Sequence, residues 1–245
     1  MVWWRQTRLT RRDGGSIRRC RAVGRQGRAP ARRTARRPLH GRARGGRRAE
    51  DDDDDGTDEE SEAESVVREG ACIFFHAEVC RATVLRLARL LREAAAEAVR
   101  ASAPGSPPAV TLFIHSCGGD LFEGLSAMAH IANCAVPVTT VVDGFAASAA
   151  TFLLLAARRR LATPHARILI HQVRTGFWGK WQELQDEVRN TDMIMSTMRQ
   201  IYLETTRMSA RRIERTLRRE MYLDAAEALR LGLVHGLWQP AAAAQ

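Results

Sequence analysis

Lysine is almost absent from this chain, and its charges are unevenly spread. Lys180 is the only lysine among 245 residues, so the basic residues are otherwise arginines. Residues 1–48 hold 17 arginines and one acidic residue, whereas residues 50–64 hold 11 acidic residues and no basic one. The formal net charge of +10 therefore belongs to an N-terminal tail. It does not indicate a nucleic-acid-binding face on the folded part.

The chain also lacks a cysteine motif and a long apolar run. Its cysteines are odd in number and never spaced C-x-x-C, which argues against a disulfide framework or a zinc site and favours a reducing compartment (Cys20, Cys72, Cys80, Cys117, Cys134). The longest apolar stretch, Phe145 to Ala157, is shorter than the ~20 residues that span a bilayer. Arginines continue through the region where a secretory signal needs apolar residues. We therefore expect a soluble protein without a membrane span.

Composition divides the chain into three segments. Residues 1–49 are Arg-rich, and we expect them to be disordered. They resemble an organelle transit peptide, although Ser16 is their only serine; a nucleic-acid or nuclear-import tail and a poorly constrained N-terminus are the alternatives. Residues 50–65 are an acidic linker, and residues 66–245 form one domain. A transit peptide would place the protein in a plastid or mitochondrion, and its absence would place it in the cytoplasm.

Strand and helix patterns alternate through the folded segment. Apart from the central stretch, the apolar periodicity predicts strands at Cys72–His76, Val110–Ile114 and Leu233-Val234, and helices at 81–100, 121–134, 182–206, 209–217 and 224–231. This alternation of strands and helices is typical of an α/β fold.

The central stretch carries the first sign of chemistry. Val136 to Val142 is β-branched and predicts a buried strand, which Asp143-Gly144 is expected to end. An alanine- and leucine-rich run follows and predicts a buried helix that begins at Ser148. A second apolar run ends on His171. A serine at a strand-to-helix turn and a histidine after a later strand are two parts of a nucleophilic hydrolase. Alternatively, the serine only caps the helix and the histidine is a half-buried side chain.

Backbone groups near this serine could stabilise a developing negative charge. The first N–H groups of a helix lack partners within the helix, so those beside Ser148 can receive an oxyanion. Gly118 and Gly119 offer a second close approach to the backbone because they have no Cβ. His171 would take the proton of Ser148 and return it to the leaving amine.

Four segments, in order, resemble the proteolytic subunit of the Clp protease, the ClpP family of serine peptidases. They are FIHSCGGD at 113–120, DGFAASAATFLLLAA at 143–157, ATPHARILIHQ at 162–172 and YLDAAEALRLGLVHGL at 222–237. GFWGK at 176–180 with the long helix after it resembles the handle of that family. Together the matches cover residues 70–238.

The resemblance assigns the site residues. It implies that Ser148 is the nucleophile, that His171 is the base, and that the N–H groups of Gly119 and Ala149 are the oxyanion donors. The register places the acid at Glu220, where the family normally has aspartate. The alternative for Glu220 is a solvated surface charge.

The resemblance also implies a fold and an assembly. The expected fold is the ClpP- and crotonase-like spiral of repeated ββα units with a protruding handle helix. Stacked heptameric rings, homo- or hetero-oligomeric, would degrade unfolded polypeptides fed by an AAA+ Clp ATPase, with no metal or organic cofactor. A non-catalytic ring subunit is the alternative, motivated by Glu220. An acyl-CoA hydratase or isomerase shares the fold and the oxyanion hole, but it needs no serine followed by a strand-terminal histidine.

Overall fold

A computed structural model describes residues 65–103 and 105–239. The Arg-rich segment predicted at 1–49 and the acidic linker predicted at 50–65, except for its last residue, lie outside the described residues.

The described chain contains helices and strands in alternation. The helices are α1 (Arg81–Ala101), α2 (Leu121–Ala132), α3 (Ala150–Leu155), α4 (Trp181–Thr205), α5 (Ala210–Leu217) and α6 (Ala225–Leu231). The strands are β1 (Val66–Glu69), β2 (Cys72–Phe75), β3 (Val110–Ser116), β4 (Val138–Ala147), β5 (Arg159–Ala162), β6 (Arg167–Leu169), β7 (Tyr222–Asp224) and β8 (Gly236–Leu237).

The eight strands form one sheet that forks at β4. Strands pair in the order β1-β2-β3-β4-β5-β8, parallel except for the β1–β2 pair. The first half of β4, Thr139–Val142, pairs with β5, whereas Phe145–Ala147 pairs with β6. Strand β7 then adds to β6 antiparallel. The two halves of one strand thus serve two branches of the sheet, as in the α/β spiral predicted from the sequence.

Strand β4 is longer than predicted, and the expected break at Asp143-Gly144 is wrong. Gly144 has a φ of 91°, which glycine adopts without strain, and the β3–β4 register shifts between Ile114 and Ser116. Such an irregularity bends a strand without ending it. Helix α3 is correspondingly short and begins at Ala150, two residues after the predicted start at Ser148.

The strand predicted at Leu233-Val234 is also wrong. These two residues are buried in the turn that follows α6. The strand in this region is β8, which pairs with β5 on the side opposite β4. Buried apolar residues at a helix end have the same pattern as a short central strand. In contrast, the predicted apolar face of α1 is confirmed, because all of its members are buried (Val84, Leu87, Ala88, Leu91, Ala95).

Helix α4 is packed along only part of its length. Its buried residues are Met198 and Tyr202, both in its C-terminal half. Trp181, Leu184 and Val188 in the N-terminal half are exposed. In the part of the chain that the structure describes, no helix combines the length and apolar character needed to cross a membrane.

Candidate active site

The Ser148 turn joins β4 to α3 in an unusual backbone conformation. Ser148 has a φ of 52°, the only positive φ of a non-glycine residue in the described ranges. Its N–H donates to the carbonyl oxygen of Leu169 on β6 at 2.9 Å. Its carbonyl oxygen accepts from the N–H of Thr151 at 3.0 Å and from the Thr151 hydroxyl at 2.6 Å. The turn therefore projects the side chain from a backbone fixed on both sides.

A buried pair of hydroxyl groups, those of Thr151 and Tyr202, supports this turn. The Thr151 hydroxyl lies 2.7 Å from the phenol oxygen of Tyr202 on α4. Because the Thr151 hydroxyl donates its hydrogen to the Ser148 carbonyl, it accepts from the Tyr202 phenol. Burial raises the pKa of Tyr202, so the phenol keeps its hydrogen. No local sequence pattern predicts this link, because Thr151 and Tyr202 lie 51 positions apart in the chain.

His171 faces the serine from the neighbouring strand end. It follows β6, which pairs with the second half of β4, so the two strand ends lie side by side. His171 Nε2 is 2.8 Å from Ser148 Oγ, and the imidazole side chain is 14% exposed. This distance is that of a direct hydrogen bond, and it allows proton transfer between the two groups.

Glu220 lies on the other side of the imidazole. Its Oε1 is 3.4 Å from His171 Nδ1, and its side chain is 57% exposed. The guanidinium of Arg174 donates to the same carboxylate oxygen. This bond to Arg174 and, next, the one to His171 lower the pKa of Glu220 below its ordinary value. The carboxylate is therefore ionised at neutral pH and can hold the Nδ1 hydrogen of the imidazole.

Arg174 is a residue of the site that the sequence alone does not predict. It stands three positions after His171, and no local pattern marks it as a partner of Glu220, which lies 46 positions further along the chain. Only its proximity in sequence to the histidine could have drawn attention to it.

Two glycines bring the backbone close to the serine. Gly118 has a φ of 100°, and a Cβ there would lie 2.7 Å from the carbonyl oxygen of Ala147. Gly119 has a φ of 143°, and a Cβ there would lie 2.4 Å from the carbonyl oxygen of Val79. Both positions therefore require glycine.

The predicted oxyanion donors lie beside the same cleft. Gly119 and Ala149 both line it together with Ser148. Among the hydrogen bonds of residues 65–103 and 105–239, none uses the N–H of Gly119 or of Ala149 as donor. The two residues line the cleft and their N–H groups have no competing acceptor, which is what a role as oxyanion donors requires.

The cleft has a volume of about 420 Å³ and is lined by both apolar and polar residues. Helices α2, α3 and α4 contribute its main apolar side chains (Phe122, Phe152, Ile194, Met198). Ser148 and His171 line it too. In the described ranges, no three His, Cys, Asp or Glu side chains are grouped so that they could hold a metal ion.

The forked α/β sheet and this row of side chains in an open cleft define the class of the protein as a hydrolase. The comparisons with known proteins specify the family. The family model described as Clp protease matches residues 87–240, which is more than half of the chain. This chain belongs to the Clp protease family.

Individual relatives agree with that assignment. The chain is 36% identical over 155 residues to the ATP-dependent Clp protease proteolytic subunit 1 of Chlamydia muridarum, covering 59% of this chain and 80% of that protein. The protein of the same name from Chlamydia trachomatis serovar D is 37% identical over 138 residues, covering 55% and 71%. A ClpP1 mutant from Listeria monocytogenes has a similar fold, with a TM-score of 0.61 and 22% identity, over 70% of this chain and 93% of that one.

The chain is therefore a protease and a Clp-type proteolytic subunit. The family and the α/β spiral fold predicted from the sequence are confirmed. Nothing in the comparisons favours the alternative, a non-catalytic ring subunit.

Proposed function

We propose that this chain is a serine endopeptidase that cleaves unfolded polypeptides through an acyl-enzyme. The single observation that carries the proposal is the 2.8 Å separation between Ser148 Oγ and His171 Nε2 inside an open cleft. A hydroxyl is a weak nucleophile until a base at this distance accepts its proton.

The reaction follows from the positions of the groups. His171 Nε2 takes the proton of Ser148 as Oγ attacks the carbonyl carbon of the peptide bond. The N–H groups of Gly119 and Ala149 stabilise the resulting oxyanion. When the intermediate collapses, the C–N bond breaks and His171 gives its proton to the leaving amine. Water, activated by His171, then hydrolyses the ester and restores the serine.

Glu220 supports the imidazole during these steps. By accepting the Nδ1 hydrogen, it fixes the tautomer in which Nε2 is free to accept the serine proton. It also stabilises the positive charge that forms on the imidazole. The glutamate therefore takes the role for which the family normally has an aspartate.

The assembly and its partner follow from the family. Clp proteases form ring oligomers and work with a Clp ATPase. We infer stacked rings of seven, made of this chain alone or with paralogues, and an AAA+ ATPase that unfolds and delivers the substrate. Side chains supply the nucleophile, base and acid, so we expect no metal or organic cofactor, and the partner would hydrolyse any ATP.

Labelling with a fluorophosphonate probe, combined with native mass measurement of the same sample, tests the catalytic proposal. We expect labelling of the assembled protein and its loss in Ser148→Ala. Ser196→Ala, an exposed serine on α4 that is not part of the site, is the matched control and should label normally. An intact assembly that the probe does not label would instead support the non-catalytic ring subunit.

The location of the protein is a separate proposal. We infer that the Arg-rich segment 1–49 directs import into a plastid or mitochondrion. N-terminal sequencing of the protein recovered from cells tests this inference. A mature chain that starts near the acidic segment 50–65 is expected, whereas a chain that starts at Met1 would point to the cytoplasm.

A further inference from the structure

Glu220, the acid of the proposed triad, is the triad member with the least support from the surrounding fold. Glu220 lies in the connection between α5 and β7, and its side chain is more than half exposed. Within the described ranges, its carboxylate has hydrogen bonds to two side chains, those of His171 and Arg174. An exposed glutamate has several side-chain torsions and, unless it is held, spends much of its time away from any one partner.

Arg174 meets this carboxylate because two connections run side by side. The N–H of Gln172 donates to the carbonyl oxygen of Leu217 at 3.0 Å, which joins the segment after His171 to the end of α5. Arg174 extends from the first connection and Glu220 from the second. The Arg174 guanidinium bonds Oε1, the same oxygen that faces His171 Nδ1.

We propose that Arg174 is a positioning residue that holds the Glu220 carboxylate against His171. The inference rests on the proposed serine mechanism and deepens it. A carboxylate oxygen can accept two hydrogen bonds at once, so Arg174 and His171 are able to share Oε1. A guanidinium is always charged and has fixed donor directions, and so it restrains the carboxylate as a solvent molecule does not.

Arg174 also acts on His171 in the opposite direction. Its positive charge offsets part of the negative charge that stabilises the imidazolium. Both side chains are exposed, Arg174 to 72% and Glu220 to 57%, so water screens this charge effect. The same screening weakens the ion pair, so the restraint depends on the directed hydrogen bond from the guanidinium to Oε1.

The experiment measures turnover of a fluorogenic peptide by the full-length assembled protein. In Arg174→Ala we expect kcat to fall about tenfold with KM unchanged. This is a smaller loss than the roughly 10²-fold loss that a badly misplaced catalytic group can produce. Arg174→Lys should recover part of the loss. Arg158→Ala, which removes the same charge from an exposed site outside the cleft, is the control and should match the wild type.

A double-mutant cycle shows whether Arg174 acts through Glu220. In a Glu220→Gln background, Arg174→Ala should cause no further loss in the rate of fluorophosphonate labelling, which remains measurable when peptide turnover is slow. An equal loss in both backgrounds overturns the proposal, because Arg174 would then act elsewhere. A rise in KM alone overturns it too, because Arg174 would then contact the substrate. An Arg174→Ala variant whose kcat equals or exceeds that of the wild type also overturns the proposal.

These outcomes are separable from failure of the proposed function. If the serine mechanism is wrong, Ser148→Ala keeps its activity and its labelling. If only the role of Arg174 is wrong, Ser148→Ala is inactive while Arg174→Ala fails the tests above.

Discussion

At the residue scale, the site combines a strained residue, the proposed nucleophile Ser148, with a loosely held one, the proposed acid Glu220. A non-glycine residue with positive φ costs about 1–3 kcal/mol and persists only where its surroundings fix it. Hydrogen bonds from Ser148 to Leu169 and from Thr151 to Ser148 supply that support. Glu220 has no comparable framework and depends on two side-chain partners.

The lowered pKa of Glu220 predicts the shape of the acid limb of activity. An ordinary glutamate has a pKa of about 4.3, and the pKa of Glu220 lies below its ordinary value. Its ion pairs are therefore complete above that ordinary pKa and are lost as the pH falls through the lower, folded value. Between pH ~7 and ~5 the Glu220 carboxylate therefore keeps its charge. We expect Glu220 to add no step of its own to the pH profile of kcat/KM in this range, so the wild type and Glu220→Gln should have profiles of the same shape.

Steady-state peptide cleavage in buffers of constant ionic strength gives both profiles. Glu220→Gln should be slower, on the order of 10² to 10⁴-fold, and should keep the shape of the wild-type profile. A wild-type profile that falls more steeply than that of Glu220→Gln would show that Glu220 itself titrates in this range.

At the element scale, helix α4 supports the proposed nucleophile, Ser148, through the phenol of Tyr202. Tyr202 and Thr151 are both buried, and Thr151 passes the contact on to the Ser148 carbonyl. A buried donor that loses its acceptor costs about 1–3 kcal/mol. A movement of α4 near Tyr202 is therefore coupled to the geometry of the Ser148 turn.

We expect Thr151→Val to lower the free energy of unfolding by about 1–3 kcal/mol and to reduce kcat. The substitution keeps the shape but leaves the Tyr202 hydroxyl without its acceptor. Tyr202→Phe removes the other half of the pair and should cost about 1 kcal/mol. Urea unfolding measures the stability and peptide cleavage measures kcat.

Thr151→Ser is the matched control because it keeps the hydroxyl. It should lose only the contribution of one methyl group, about 1 kcal/mol, with little change in kcat. If Thr151→Val and Thr151→Ser behave alike, the hydroxyl chain does not support the turn.

The long helices could be predicted from the sequence, and several of the short strands could not. Helices α1 and α4 have many turns of apolar periodicity, so their predicted ends lie within a residue or so of the observed ones. Strands β5 and β7 have four and three residues, too few for a periodic signal, and they were not predicted. Their places depend on pairing with β4 and β6, which is a tertiary effect.

The residues of the candidate site also differ in how far the sequence predicts them. Ser148 and His171 follow strands that a local pattern reveals, and Glu220 was placed by resemblance. The link from Thr151 to Tyr202 and the bond from Arg174 to Glu220 join positions far apart in the chain. A single sequence carries no local signal for such pairs.

At the scale of the whole molecule, the exposed half of α4 fits the ring assembly of the family. Leu184 and Val188 lie one turn apart on one face, and both are exposed. Apolar side chains in contiguous exposed positions are typical of protein–protein contact surfaces. We infer that this face is covered in the oligomer.

Val188→Glu should therefore weaken the oligomer, because a buried charge without a partner is costly. Native mass measurement and sedimentation are expected to show smaller species, with peptidase activity reduced in parallel. Gln182→Glu, on the opposite face of the same helix, adds the same charge and should leave the assembly intact. Equal assembly of both variants would mean that the Leu184–Val188 face is not an interface.

The fork of the sheet at β4 has a consequence for how this enzyme can evolve. Three backbone pairings, from Phe145 with Arg167 to Ala147 with Leu169, fix the spacing of the hydroxyl and the ring nitrogen. The carboxylate reaches the imidazole from a connection outside that ladder. Substitutions in that connection, between α5 and β7, can therefore change kcat without disturbing the Ser148–His171 pair.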